Sequence, residues 1–432
     1  MERECVKYIC IPYGNKELNA KVPLNQVFFE GIPKYFPGLK NFEKTLLDRL
    51  NNPTSGEPLK SLVKNKNKIL ILIEDNTRYT PVDKILPILI HYLEDCGVAL
   101  NNIEILTAPG THRKMTDAEI EEKVGLEIVK TIGIFQHDIT EKKDIVALEP
   151  IYIGKSKIPV EVNKKVLESD VIIGIGNITP HTEAGYTGGG KIVQPGICGY
   201  STTAATHVAA ALLEDIPIGV VENPCRHGIE AVAKTVGLSF IINVVKNIKG
   251  EVNEIVTGDF VIAHREGALI AKDMYSIEIP EKVDIVITSA YPYDIDWWQA
   301  EKGLISAFFA VKEGGCIVLA ADCPEGIAHN HPKLLEWLRL SYQDLCANVR
   351  NIPPDDIEED LVGASIAIFN SRIREKVDIL LVSDGLSMED AKILGYKKFI
   401  SLQSAIDFAL KKHPLAKIGI IPRGGDCLPV LL

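Results

Sequence analysis

The segment Pro180-His181-Thr182-Glu183-Ala184-Gly185-Tyr186-Thr187-Gly188-Gly189-Gly190-Lys191 sets an imidazole and a primary amine on either side of a glycine-rich stretch. Glycine lets a backbone approach a ligand closely and adopt positive φ, so Gly188, Gly189 and Gly190 suit a loop that wraps a small molecule. The pattern predicts a small charged ligand with acid/base chemistry beside it. Two nucleotide signatures overlap this region and both break. Gly185 to Lys191 fits G-x-x-x-x-G-K, but Ile192 stands where a phosphate-binding loop needs Ser or Thr for magnesium. Asn177 to Ala184 also separate the loop from its strand. Gly174-x-Gly176 opens a dinucleotide fingerprint whose third glycine position is Thr179.

Other titratable residues cluster in the same way. Asp75-Asn76-Thr77-Arg78 follows one apolar run, and Gly110-Thr111-His112-Arg113 follows another. Arg78 suits a bidentate grip on a carboxylate or phosphate, though it would equally pair with Asp75 at a helix start. His207 lies in the small-residue stretch Thr202 to Ala210, where it is either a packed core histidine or a metal ligand. In Trp297-Trp298-Gln299-Ala300-Glu301-Lys302, Gln299 and Lys302 fall one helical turn apart and would face one direction. The remaining histidines, among them His137, His264 and His331, sit in no such constellation and read as structural or exposed.

The elements that must position these groups follow from periodicity. Short Ile/Val-rich runs alternate with amphipathic stretches, the pattern of βα units around a parallel sheet. Strands are predicted at 69–74, 103–107, 131–135, 171–176 and 241–245, with helices at 81–96, 117–124 (Thr116 as N-cap) and 201–213. A second βα series begins at 283–288, continues at 316–320 and 379–383, and ends with a helix at 401–411 and a strand at 417–421. A helix within 257–276 would bridge the two series. The expected architecture is two α/β domains, 1–270 and 271–432, with mostly parallel sheets and a cleft between them. Asp75, His112 and His181 each follow a strand, and ligands of open α/β sheets bind beyond the carboxyl ends of strands.

At 432 residues the chain exceeds one ordinary core. Hydrophobic residues at 46% and charged residues at 24% describe a soluble globular protein. A net charge of -11 disfavours nucleic acid or an anionic membrane as the main partner. Nine cysteines without a C-x-x-C pair suggest reduced thiols. No signal-like N-terminus is seen and no apolar run reaches the roughly 20 residues a membrane helix needs, so a cytoplasmic location is expected.

Taken in order, Asp75-x-x-Arg78, Gly110-Thr111-His112, Pro180-His181 through Gly190-Lys191, His207 and Gln299-x-x-Lys302 resemble the nickel-dependent lactate racemase family. The resemblance spans nearly the whole chain and implies an isomerase that interconverts epimers of a 2-hydroxy acid. It implies nickel and a nickel-pincer nucleotide, a pyridinium mononucleotide joined to Lys191 through a thioamide, with His207 as the protein ligand to nickel. One imidazole added to three pincer donors gives the square-planar arrangement suited to Ni(II). His112 and His181 would be the acid/base pair. Arg78, Gln299 and Lys302 would hold the substrate carboxylate. Asp75 would orient Arg78 or touch the cofactor, whose loop is Gly188, Gly189 and Gly190. The implied partners are a small 2-hydroxy acid and the enzymes that make and load the cofactor. Two other readings stay open: a cofactor-free carboxylate-binding protein on the same scaffold, and a phosphotransferase using the Gly185–Lys191 loop. The Trp297-Trp298 pair predicts a pocket reshaped relative to one for lactate.

Overall fold

A computed structural model of the chain describes residues 5–153, 156–328 and 331–432. Its first sheet has six strands in the order Val252–Gly258, Leu238–Lys246, Val171–Asn177, Ile69–Ile73, Ile103–Thr107 and Gly133–Gln136. All neighbours run parallel except the Val252–Gly258 edge, which returns antiparallel. The central strand shows why continuous apolar runs form here. Ile69, Ile71 and Ile73 point into one core with the helix Val82–Asp95, while Leu70 and Leu72 point into a second core on the opposite face. A strand covered on both sides has no solvent face to make polar.

The second sheet also has six strands, Lys397–Phe399, Asp378–Val382, Val311–Ala320, Val283–Ser289, Ile418–Ile421 and Val27–Glu30, all parallel. The predicted βα series is present, and Thr116 caps its helix with a reciprocal bond from Glu119. The helix Ile262–Tyr275 packs on the first sheet, and Ser276–Ile279 opens the second body.

The expected 1–270 unit fails at its N-terminal end. Val27–Glu30 pairs with Ile418–Ile421, and the hairpin Val6–Tyr13/Lys16–Pro23 covers the second sheet with Ile9, Ile11, Tyr13 and Val22. Their alternation buries one face of the hairpin against Ile285, Ile287 and Val318. The helix Tyr200–Ala211, which carries His207, also departs from that division. Tyr200, Ala204 and Ala211 pack in the core of the second body, and Arg372 caps the helix end by donating to the carbonyls of Ala211 and Leu213 at 2.7 and 2.8 Å. All nine cysteines are free. No helix among the described residues is long and apolar enough to cross a membrane.

Ile11 is fully buried although it lies hundreds of residues from its neighbours in sequence. Ile11→Ala is expected to destabilise the chain by about 2–5 kcal/mol, as for other core truncations. Thermal unfolding checks this, and an unchanged melting temperature would show that the hairpin is a dispensable tail.

Candidate active site

Between the two bodies lies a cleft lined by Asp75, Arg78, His112, His181, Gly188, Lys191, His207, Gln299 and Lys302. Strand ends deliver three of these groups. Ile69–Ile73 leads to Asp75, Ile103–Thr107 leads to His112, and Val171–Asn177 leads to the short ladder that pairs His181 with Gly185. Gln299 and Lys302 enter on the helix Trp297–Ala310, capped by Asp296.

The glycine loop is built as much by packing as by ligand access. Gly188 lines the cleft at φ +79°. Gly189 sits at φ +60° against His264, donates its N–H to Asn243 Oδ1 at 2.7 Å, and has no room for a Cβ. Gly190 abuts Ala233. Gly189 and Gly190 therefore do not line the cleft as the sequence pattern suggested, and their identity answers to close packing. His264 donates to Thr187 O at 2.9 Å beneath the same loop.

The two candidate acid/base histidines are wired differently. His112 Nδ1 lies 2.7 Å from Asp75 Oδ2, and Gln299 Nε2 donates to His112 Nε2 at 3.2 Å. His112 Nδ1 therefore carries the hydrogen and Nε2 presents the lone pair. Burial alone would raise the Asp75 carboxyl, but the charge and hydrogen bond of His112 bring it to about 2. Asp75 thus orients His112, assisted by Thr77; Arg78 N–H donates to Asp75 O at 3.3 Å, but the Asp75 carboxylate takes no hydrogen bond from the Arg78 guanidinium. His181 Nδ1 instead accepts from the Glu183 and Ala184 amides at 3.2 and 3.4 Å, leaving its hydrogen on Nε2. Burial, followed by the charges of Lys191, Lys302 and Arg78, holds the His181 imidazole well below its usual range.

Gln299 ties the bodies together. Its Oε1 accepts from Lys302 Nζ at 2.8 Å and from Arg78 at 3.3 Å. Burial, then Arg78 and Lys191, push the Lys302 amine well below the ordinary lysine range. Burial, with Arg78 next, lowers the Lys191 amine to about 8. These crowded cations are a receptacle for an anion. His207 donates Nδ1–H to Thr203 O at 2.8 Å, so Nε2 is its free nitrogen.

Four participants carried no sequence signal. Arg226, in the helix Pro224–Val236, donates to the carbonyls of Ala184, Tyr186 and Gly188. Glu183 and Glu301 line the cleft as buried carboxyls, each with an unpartnered Oε1. Burial, then the charge of Glu183, pushes the Glu301 carboxyl well above the usual range. His331 stacks on Trp298 at 4.1 Å and borders a side cavity beyond His112. Only Trp298 of the tryptophan pair faces this region; Trp297 is fully buried.

A profile of the lactate racemase N-terminal domain matches residues 13–216, and one of the lactate racemase C-terminal domain matches residues 279–428. A lactate racemase of Thermoanaerobacterium thermosaccharolyticum is 28% identical over 425 residues, covering 96% of this chain and 97% of that protein. A lactate racemase of Lactiplantibacillus plantarum is 32% identical over 288 residues, 66% of this chain and 67% of that protein. The solved lactate racemase apoprotein from T. thermosaccharolyticum superposes with a TM-score of 0.88 at 28% identity, covering 98% of this chain and 100% of that one. A Thermotoga maritima protein at 21% identity, with a TM-score of 0.71, covers 92% of this chain and 100% of its own and shares the fold.

The lowered basicity of Lys191 is directly measurable. Only the neutral amine attacks an electrophile, so acetylation of Lys191 in protein made without cofactor should rise with pH and level off above about 8. A surface lysine levels off nearer 10.4. Peptide mass spectrometry reads both in one experiment, and a Lys191 midpoint near the surface value would contradict the desolvated geometry.

Proposed function

The chain belongs to the lactate racemase family, and on that premise we propose that it interconverts the epimers of a 2-hydroxy acid, with His112 and His181 as acid/base catalysts and a nickel-pincer nucleotide on Lys191. The family makes the chain an isomerase, and its named relatives are racemases of lactate. The observation that carries the reading is one cleft holding two oppositely wired imidazoles, a desolvated amine and a third imidazole with a free nitrogen.

The residues fit the implied cofactor. Lys191 Nζ has no hydrogen-bond or ion-pair partner among the described residues, and its lowered basicity keeps a neutral fraction available for a covalent link. His207 has its tautomer fixed by Thr203, the usual arrangement of a metal-binding imidazole. No group of three or more His, Cys, Asp or Glu able to hold a metal occurs among the described residues. A cation here would therefore draw most of its donors from the cofactor itself, as a pincer allows. When bound, the nickel-pincer nucleotide supplies a reversible acceptor for the substrate's α-hydrogen as hydride.

The protein supplies position and protons. Arg78 and Lys302, already sharing Gln299 Oε1, are cations able to take a substrate carboxylate in place of that amide oxygen. His112 Nε2 is the lone pair offered to a substrate hydroxyl, and Asp75 stabilises the imidazolium that forms. His181 presents Nε2–H, a donor, from the other side of the reaction, with Nδ1 held by two backbone amides. His112 thus accepts the hydroxyl proton of one enantiomer and His181 returns a proton from Nε2 to form its mirror image, the balance being restored when His112 releases the proton it took.

Replacing either histidine removes a group needed in both directions. On cofactor-loaded protein, His112→Ala and His181→Ala are each expected to lower racemisation at least about a hundredfold, with the double variant little worse than either single one. Racemisation rates of lactate and of longer 2-hydroxy acids, read beside melting temperature, check this. Near-normal turnover in a well-loaded variant would remove that histidine from the mechanism. Lys191→Ala, co-expressed with the cofactor-making enzymes, is expected to show no covalent mass increment. An increment that persists would reassign the attachment residue.

A further inference from the structure

A side cavity opens off the main cleft, and the two share His112, Trp298 and Gln299 as a common wall. Beyond that wall its apolar and aromatic lining comes from Ile295, Ala328 and His331. His331 lies flat on Trp298, with ring centroids 4.1 Å apart and planes 12° from parallel. Asp360 Oδ1 accepts from His331 Nδ1 at 2.8 Å, which fixes the imidazole half of this stack. The backbone fixes the rest: Trp298 N–H donates to Ile327 O at 3.1 Å, Trp297 N–H to Gly326 O at 2.9 Å, and Glu325 N–H to Ile295 O at 3.0 Å. The cavity is therefore formed before any ligand arrives, as binding pockets usually are.

The charged groups of this cavity say what it would refuse. They are Arg113, Asp296 and Glu325. Arg113 is already spent: it donates to both carboxylate oxygens of Glu119 at 2.7 and 2.8 Å and stands 3.9 Å from Glu325. A second anionic group on a ligand would meet two carboxyl groups and no unpaired cation, which is unfavourable. An uncharged flat ring would meet an indole and two aliphatic side chains, surfaces that gain from leaving water. The carbon that presents a hydroxyl to His112 also bears the substrate's side chain, so a side chain longer than methyl has this cavity beside it. Resting on the proposed racemase reading, we infer that the side cavity is the side-chain subsite. The substrate class it fits is the 3-aryl-2-hydroxypropanoates, such as 3-phenyllactate. Trp298, backed by His331, sets that preference. A methyl group would not reach this wall, and a dicarboxylate would place its second charge against Asp296 and Glu325.

Binding and turnover test this separately. Protein made without cofactor is titrated calorimetrically with lactate, malate and 3-phenyllactate, with melting temperatures recorded. The parent protein is expected to bind 3-phenyllactate at least about tenfold more tightly than either other acid, the least a hydrophobic pocket gains from one added methylene. A328F, which fills the cavity, is expected to remove at least about tenfold of that preference while lactate affinity changes less than about threefold. H331A, which strips the ring behind Trp298, is expected to lower the ratio in the same direction and serves if A328F fails to fold. On cofactor-loaded protein the same order is expected in kcat/KM for racemisation. Binding of lactate or malate as tight as that of 3-phenyllactate, an unchanged ratio in the folded variants, or a higher kcat/KM for lactate overturns the subsite and leaves the racemase reading standing. A preference for 3-phenyllactate in binding, with none of the three acids racemised by loaded protein, supports the subsite and overturns that reading. Binding of none of them overturns the subsite together with the carboxylate-holding role of Arg78 and Lys302.

Discussion

Arg226 is buried with its guanidinium directed at the carbonyls of Ala184, Tyr186 and Gly188, and no carboxylate accepts a hydrogen bond from it among the described residues. A desolvated cation is tolerated only where polar atoms converge on it, and here those atoms belong to one loop. The dependence is mutual. The loop turns through positive φ at Gly185, Gly188 and Gly189, which leaves carbonyls pointing inward that would otherwise be unpaired. Arg226 satisfies them, and the loop satisfies Arg226. His181, Glu183 and Lys191 take their positions from the chain so fixed. The helix Pro224–Val236 that carries Arg226 is itself secured by Asn223, which caps Arg226 N at 2.9 Å.

That clamp has an electrostatic consequence. Arg78, Lys191, Lys302 and Arg226 all act on His181, and burial amplifies each of them. The result is an imidazole held neutral close to several cations. Asp75 offsets the same field at His112 through a bond of 2.7 Å, so the two histidines experience different surroundings within one cleft. A reaction that runs in both directions needs each imidazole in either protonation state. On the proposed mechanism an anionic substrate belongs to the electrostatics of the site: its carboxylate would bring negative charge to the cations gathered around Lys302 and His181.

What could be read from the sequence was what local chemistry dictates. The strands at 69–73, 103–107 and 171–177 follow from continuous apolar runs, and the polar residues at their carboxyl ends follow from the rule for open α/β sheets. Gln299 and Lys302 were legible because three residues on a helix make one face. Arg226 was not legible, since its role depends on carbonyls some forty residues away that no side-chain pattern records. The N-terminal hairpin escaped for a related reason. Its alternation of Ile9, Ile11 and Tyr13 is short, and its partner sheet is assembled from residues beyond 280. Glu183 carried no signal of its own, because its spacing to His207 has no local period. At Gly189 and Gly190 close packing by itself accounts for glycine, so a ligand is not needed to explain their identity.

Gln299 explains why the cleft needs both bodies. Its amide has one orientation that suits its neighbours: Oε1 must face the cations Arg78 and Lys302, which leaves Nε2 to donate to His112. Arg78 and His112 come from the first sheet, whereas Gln299 and Lys302 ride on a helix of the second. Any opening between the bodies therefore parts Arg78 from Lys302 and releases His112 from Gln299 in the same movement. The helix bearing His207 reinforces this, because its ends are tied to the second body through Tyr200 and Arg372 while its free imidazole nitrogen faces Glu183 on the glycine loop. Groups on the first sheet thus acquire their working geometry only against the second. On the proposed mechanism, substrate capture, proton transfer and metal ligation are coupled through a single interface, and the residues that line it are spread from 75 to 302 and not gathered in one motif.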